Sequence, residues 1–177
     1  MLTMKNNLKN TLICLLITAS FNLFAQTKTD ALRDAQLTST ASLNMDFETV
    51  LKYTLPSVLD MMGGKEAALK VISSTFEGMK SQGFVFEKAD INGVSDIVKE
   101  QGQFRCVVEG YNQMVMSNQR ISSKSYLLGI YNKVDKYWWF IEAKQLKNEA
   151  LTNQILPNFE TALEIPDDDL KVEPITD

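Results

Sequence analysis

The spacing of apolar residues changes at Phe84, and this change restricts what the chain can fold into. Between residues 65 and 81 apolar side chains recur at helical spacing. From Phe84 onward apolar and polar residues alternate with the period of two that is typical of a half-buried strand. A helical part followed by a strand-rich part predicts an α+β domain, in which N-terminal helices pack on a curved antiparallel sheet.

Three helices are predicted in the first part of the domain. They span residues 29–43, 47–53 and 65–81. Asp46 can cap the second helix, because its carboxylate can accept hydrogen bonds from the free backbone N–H groups of the first turn. Pro56 is expected to end or kink this helix, since proline lacks an N–H and disfavours helical backbone at the residue before it.

Five strands are predicted after the helices. They span residues 84–91, 94–98, 104–116, 121–131 and 137–143. Short polar connections between them predict antiparallel hairpins. A last helix, residues 147–156, is expected to stop at Pro157, and residues 157–177 are predicted to form an exposed acidic tail. The domain itself is therefore placed at residues 26–156.

Three short motifs resemble the nuclear transport factor 2-like superfamily over residues 29–143. They are Asp46-Phe47 at the start of the second helix, Gly64-Lys-Glu-Ala67 at the start of the third, and the strand sequence Trp138-Trp-Phe-Ile141. The resemblance implies a cystatin-like cone, with a cavity between the curved sheet and the helices. It does not imply an activity, because this superfamily includes ketosteroid isomerases, polyketide cyclases, binding proteins and dimerisation modules.

The isomerase relatives use an aspartate base with a tyrosine and a protonated aspartate. No motif of this chain matches those residues. Tyr53, Asp60 and Tyr126 are candidates by residue type alone.

The first 25 residues have the pattern of a cleaved secretory signal peptide. Lys5 and Lys9 precede an apolar run at residues 11–19 that is too short to span a bilayer as a stable helix, and Ala25 provides the small residue before the cleavage site. We therefore predict a secreted or periplasmic protein with no membrane span after cleavage. A retained membrane anchor is the alternative.

Composition excludes several chemistries. The chain has no histidine, which removes Ser-His-Asp and Cys-His catalysis and histidine-centred metal sites, and no cofactor is expected. Without residues 1–25 it keeps 16 basic and 22 acidic residues, so tight binding to nucleic acid or to anionic lipid is disfavoured. Cys106 would then be the sole cysteine, and its place on an apolar strand face predicts a buried, inert thiol.

Strand alternation predicts which side chains line the cavity and which lie on the outer face of the sheet. The predicted cavity set is Phe104, Cys106, Val108, Tyr126, Leu128, Ile130, Tyr137 and Trp139. Trp138 and Phe140 are predicted on the outer face, where two aromatic rings need a cover. Either the segment after Pro157 or a second copy of the chain, in a homodimer, could supply it.

Three functions stay open. We favour a secreted, non-enzymatic domain that binds a small apolar ligand in the cone or pairs through its sheet, because the strands are apolar and no catalytic set is recognisable. An isomerase- or cyclase-like enzyme would need a carboxyl group in an apolar pocket, where desolvation raises its pKa, together with tyrosine acid–base chemistry on a hydrophobic substrate. A structural envelope protein is the third function.

Overall fold

Four helices precede the sheet in the computed structural model, which describes residues 27–175. They are α1 (Lys28–Leu43), α2 (Phe47–Lys52), α3 (Pro56–Met61) and α4 (Lys65–Ser81). The predicted signal peptide lies outside the described residues. No helix between residues 27 and 175 is both long enough and apolar enough to cross a membrane.

The helix boundaries follow local chemistry. Thr27 and Asp30 form a capping box at the start of α1, in which each side chain accepts a hydrogen bond from the other residue's backbone N–H at 3.2 Å. Asp46 caps α2 by accepting from the Thr49 N–H, as predicted. Pro56 occupies the first turn of α3, where its missing N–H costs nothing, so the helix predicted at residues 47–53 does not continue past it.

Within residues 27–175, six antiparallel strands form one curved, unclosed sheet, which confirms the α+β prediction. They are β1 (Val85–Val94), β2 (Val98–Glu100), β3 (Gln103–Met116), β4 (Gln119–Asn132), β5 (Tyr137–Glu142) and β6 (Asp169–Pro174). The main order is β1-β3-β4-β5, with β2 beside β3 and β6 beside β4. β3 and β4 are the longest strands, and they form the centre of the sheet.

A two-residue turn sets the register of the central hairpin. Ser117 and Asn118 both adopt positive φ, as the tight turns of two-residue hairpins require, and Met116 pairs with Gln119. Because the turn has two residues, every even-numbered residue of β3 pairs with an odd-numbered residue of β4. Cys106 therefore pairs with Gly129, and their side-chain positions share one face.

The face that points toward α1 is called the inner face. It carries Trp138 and Phe140 of β5 beside Cys106 and Val108 of β3, and all four are buried. The prediction that Trp138 and Phe140 lie on the outer face is therefore wrong. The physical reason is the hairpin register, which brings them into line with Cys106 through Gly129.

The opposite face, the outer face, holds most of the remaining predicted cavity set. Leu128, Ile130 and Trp139 pack there, and Tyr126 lies on the same face with Val107. The prediction that these residues share a face with Phe104, Cys106 and Val108 is wrong for the same reason. Tyr137 lies at the start of β5, where its ring meets that of Tyr53 edge to face at 5.4 Å.

Residues 143–166 cover the outer face. They form a 3-10 helix (Ala143–Lys147), helix α5 (Glu149–Ile155) and an irregular segment, which together bury the outer aliphatic row. The segment after Pro157 thus supplies a cover for the sheet, although it lies over Trp139 and not over Trp138. The end of the predicted acidic tail joins the sheet as β6, whose six residues are all exposed.

The free edge of β5 connects the sheet to the helices. The buried carboxylate of Asp34 in α1 accepts a hydrogen bond from the Trp138 N–H at 2.9 Å. The Phe140 N–H donates to the Tyr53 carbonyl at 2.7 Å, and the Leu55 N–H donates to the Phe140 carbonyl at 3.0 Å. These bonds satisfy backbone groups that an edge strand would otherwise leave unpaired, and they fix α1 and the chain after α2 against the sheet.

Candidate functional site

A cavity of about 390 Å³ lies between the inner face of the sheet and helices α1, α2 and α4. We call it the helix–sheet cavity. Its apolar lining consists of Ala35, Phe47, Val50, Val58, Ile72, Phe76, Phe86, Ala89, Ile91, Leu127, Phe140 and Ile141. The other lining residues are polar, apart from Gly110, and most come from α1 and from the middle of β3 and β4.

Aromatic rings form the wall of the cavity nearest β1. The Phe47 and Phe76 centroids are 4.8 Å apart, Phe76 meets Phe84 edge to face at 5.7 Å, and Phe84 stacks on Phe86 at 6.0 Å. This series connects α2, α4 and β1. Aromatic pairs at such distances add about 0.5–1.5 kcal/mol each beyond the area they bury, so this wall is held together independently of any ligand.

Four of the hydroxyl groups that line the cavity donate their hydrogen bonds to backbone carbonyls. Thr38 donates to Asp34 O at 3.0 Å, Ser42 to Thr38 O at 3.0 Å, and Thr54 to Val50 O at 2.9 Å. Ser39 donates to the Ala89 carbonyl across the gap between α1 and β1. Since these donors are already in use, the surface that the hydroxyl groups present is less polar than their residue types suggest.

Glu142, the last residue of β5, brings a carboxyl group to the opposite side of the cavity. Desolvation by the surrounding protein raises its pKa, and the nearby charge of Asp168 acts in the same direction. Lys144 opposes both, with its Nζ 3.7 Å from the Glu142 Oε2. The side chain is 41% exposed and lines the cavity. Its Oε2 is buried and has no hydrogen-bond partner among residues 27–175.

Glu142→Gln tests the state of this carboxyl. A raised pKa means that folding favours protonated Glu142, so its contribution to stability is present below the ordinary pKa of 4.5 and is lost as pH rises through the raised pKa. The melting temperature of Glu142→Gln minus that of the wild type should therefore grow by a few degrees between pH 4 and pH 8. Thermal unfolding monitored by circular dichroism measures it.

Glu109→Gln is the matched control for this experiment. Hydrogen bonding from Lys124 lowers the pKa of Glu109, so its contribution is present at neutral pH and is lost as pH falls. The melting temperature of Glu109→Gln minus that of the wild type should therefore fall between pH 4 and pH 8. A Glu142→Gln difference that stays flat with pH would contradict the raised pKa.

The predicted cavity residues lie elsewhere. All eight are among the described residues, and none of them lines the helix–sheet cavity. Tyr126 lines a more open groove of about 430 Å³ on the outer face, with Val107, Glu109 and Leu163. Cys106 is buried, and desolvation raises the pKa of its thiol to about 12, which agrees with the predicted inert thiol.

Two cavity residues could have been found from the sequence. Phe140 and Glu142 alternate with Trp138 along β5, so one correct assignment of the inner face would have placed both in the cavity. Of the residues chosen by type, Tyr53 lines the cavity, whereas Asp60 and Tyr126 do not.

Comparisons with models of protein families, with curated proteins and with solved structures found no match to this chain. The resemblance to the nuclear transport factor 2-like superfamily therefore stays a prediction. The class that the structure itself defines is an α+β protein whose helices and sheet enclose an apolar cavity with a carboxyl group in its lining.

Proposed function

We propose that this protein binds a small apolar ligand in the helix–sheet cavity. The observation that carries the proposal is the lining, in which twelve apolar residues surround a space of about 390 Å³. Small-molecule sites are typically concave, mostly apolar, and of about 300–1,000 Å³. The aromatic wall and the backbone-bonded hydroxyl groups give this cavity a fixed shape, so a ligand would not have to order it on binding.

Butylbenzene is a suitable first probe, because it is apolar and small enough for the cavity. We expect it to raise the melting temperature of the protein in a concentration-dependent manner, since a ligand that binds the folded state alone stabilises it by mass action. Native mass spectrometry should show one bound molecule per chain. If butylbenzene neither raised the melting temperature nor appeared bound in native mass spectrometry, the proposal would be wrong.

Two variants of α4 localise the binding. Ile72 lines the cavity, so Ile72→Trp should fill part of it and weaken butylbenzene at least tenfold. Val71, the preceding residue, is 52% exposed and does not line the cavity, so Val71→Trp should leave binding unchanged. Equal losses in both variants would mean that the probe binds another part of the molecule.

An acid–base enzyme is the second candidate, and Glu142 is the observation that favours it. Its carboxyl has the raised pKa that such an enzyme requires, and Tyr53 lines the same cavity. Proton transfer to and from carbon would incorporate deuterium from heavy water into an enolisable ketone such as phenylbutanone. If the wild type incorporated deuterium no faster than the Glu142→Gln variant, the enzyme hypothesis would be wrong and ligand binding would remain the proposed function.

Export and dimerisation also stay proposals. Export depends on residues 1–25, and comparing the mass of the protein secreted by intact cells with that of the full chain would test cleavage after Ala25. The argument for a homodimer was that Trp138 and Phe140 needed a cover. Both are buried on the inner face, so a dimer is no longer needed to explain them.

A further inference from the structure

The polar groups of the helix–sheet cavity are distributed unevenly. Aromatic rings line it from α2, α4 and β1 and, through Phe140, from β5, whereas Glu142 and Gln145 line it from the end of β5 and the following 3-10 helix. In the sheet order, β1 and β5 lie at opposite ends of the main path. The β5 end of the cavity therefore carries a carboxyl and an amide beside the apolar side chains of Phe140 and Ile141.

Glu142 is the acidic side chain on the inner face of this lining. Asp90 also borders the cavity, but it pairs with Tyr111, an odd-numbered residue of β3 whose side chain belongs to the outer face. Among the described residues no lysine or arginine lines the cavity. A ligand group that reaches the β5 side would therefore meet a carboxyl whose cationic neighbour, Lys144, does not line the cavity.

The hydrogen bonding of Glu142 is incomplete. Oε2 is buried and has no hydrogen-bond partner within residues 27–175, and Lys144 approaches it only to 3.7 Å. A ligand cannot reach this buried oxygen, but the side chain is 41% exposed and its other carboxyl oxygen also lacks a hydrogen bond among the described residues, so a ligand that supplies a donor can pair with that oxygen.

We propose that the ligand is amphiphilic, with an apolar body that lies against the phenylalanine wall and one hydrogen-bond-donating head group, a hydroxyl or an amine, that binds Glu142. This inference rests on the proposed function, since it assigns the ligand class of the same cavity. Ligands with a carboxylate head group are disfavoured, because two carboxylates would then meet in a poorly solvated space.

Four probes with the same apolar body separate these chemistries: butylbenzene, phenylbutanol, phenylbutylamine and phenylbutanoate. Titration calorimetry at pH 7 should show phenylbutanol and phenylbutylamine binding about fivefold to tenfold more tightly than butylbenzene, as one net hydrogen bond allows. Phenylbutanoate should bind at least tenfold more weakly than butylbenzene. Equal affinity for all four would overturn the inference and leave the proposed function standing, whereas failure of butylbenzene itself would overturn the proposed function.

Two substitutions assign the effect to Glu142. Glu142→Gln keeps an acceptor and removes the charge, so phenylbutylamine should lose its advantage, phenylbutanoate should recover to within about threefold of butylbenzene, and phenylbutanol should change little. Glu142→Leu removes the acceptor, so phenylbutanol should also fall to the affinity of butylbenzene. Unchanged ranking in Glu142→Gln, a variant of the same shape, would overturn the assignment even if Glu142→Leu failed to fold.

Glu109→Gln is the matched control in the ligand series. Glu109 lies in the groove on the outer face and forms an ion pair with Lys124 at 2.8 Å. Its substitution should leave the order of the four probes unchanged. If the order of the four probes changed in Glu109→Gln but not in Glu142→Gln, the ligand would lie in the outer groove and the inference would be wrong.

Discussion

Replacing Trp138 by alanine should lower the free energy of unfolding by about 3–5 kcal/mol, as truncations of buried aromatic residues do. The side chain has 0% exposure and lies in the inner core with Ala31 and Ala35 of α1. Its ring meets Tyr131 edge to face at 5.4 Å. A cavity at this position would remove the ring that packs in the core between α1 and β5. Urea unfolding followed by circular dichroism would measure the loss.

Two comparisons test this expectation. Trp139→Ala should cost less, about 1–2 kcal/mol, because Trp139 is half-buried under the C-terminal segment, which can settle into the space. Trp138→Phe should recover most of the loss, since it keeps an aromatic ring and removes an indole N–H that has no hydrogen-bond partner among the described residues. A larger loss for Trp139→Ala than for Trp138→Ala would contradict the assignment of the two faces.

The helices were predictable because their signals are local. Asp46 accepts a hydrogen bond from the N–H of Thr49, three residues later in the sequence. The apolar face of the helix Lys65–Ser81 is likewise formed by residues of one continuous segment. Alternation along β5 likewise placed Trp138 and Trp139 on opposite faces. It could not say which face the helices cover, since that depends on residues far away in the sequence.

Gly129 explains why the wrong face was chosen. On β4 the even-numbered residues Tyr126, Leu128 and Ile130 are large and apolar, whereas the inner row contains a glycine where Cys106, Phe140 and Trp138 converge. A Cβ at Gly129 would lie 2.9 Å from the Cys106 Sγ, so the absence of a side chain there is required by close packing. In a hydropathy pattern that glycine counts as a weakly apolar position, although it marks a point of close packing in the inner core.

The acidic tail was misread for a different reason. β5 pairs with β4 only at residues 127–132, which leaves the first part of β4 without a partner on that side. β6 pairs there with residues 119–124 and satisfies their backbone groups. All its side chains are exposed, so its composition resembles that of a solvated tail. Strand pairing of this kind depends on backbone hydrogen bonds, which composition does not report.

Arg105→Ala should release the C-terminal segment from the outer face. Arg105 is 2% exposed, and its guanidinium donates to the Glu160 carbonyl at 2.7 Å and to the Gln101 Oε1 at 2.8 Å. It also lies over the Phe159 ring, 4.8 Å from the centroid. Truncation removes these contacts and leaves the Glu160 carbonyl without its donor, for an expected loss of about 2–4 kcal/mol.

Hydrogen exchange and limited proteolysis would show where the structure opens in Arg105→Ala. Protection should fall first at residues 156–166. The polar contacts that remain there come from Glu100, which accepts from Thr161 and from the Ala162 N–H, and from Gln101, which donates to the Asn158 carbonyl. When Arg105→Ala is combined with Trp138→Phe, Trp139 is the remaining tryptophan. Its fluorescence emission should shift to longer wavelength as water reaches the outer face.

Arg120→Ala is the control, because it removes an arginine from an exposed ion pair and should cost less than about 1 kcal/mol. If Arg105→Ala lost no more stability than this control, the Arg105 contacts would not be what holds the C-terminal segment on the outer face.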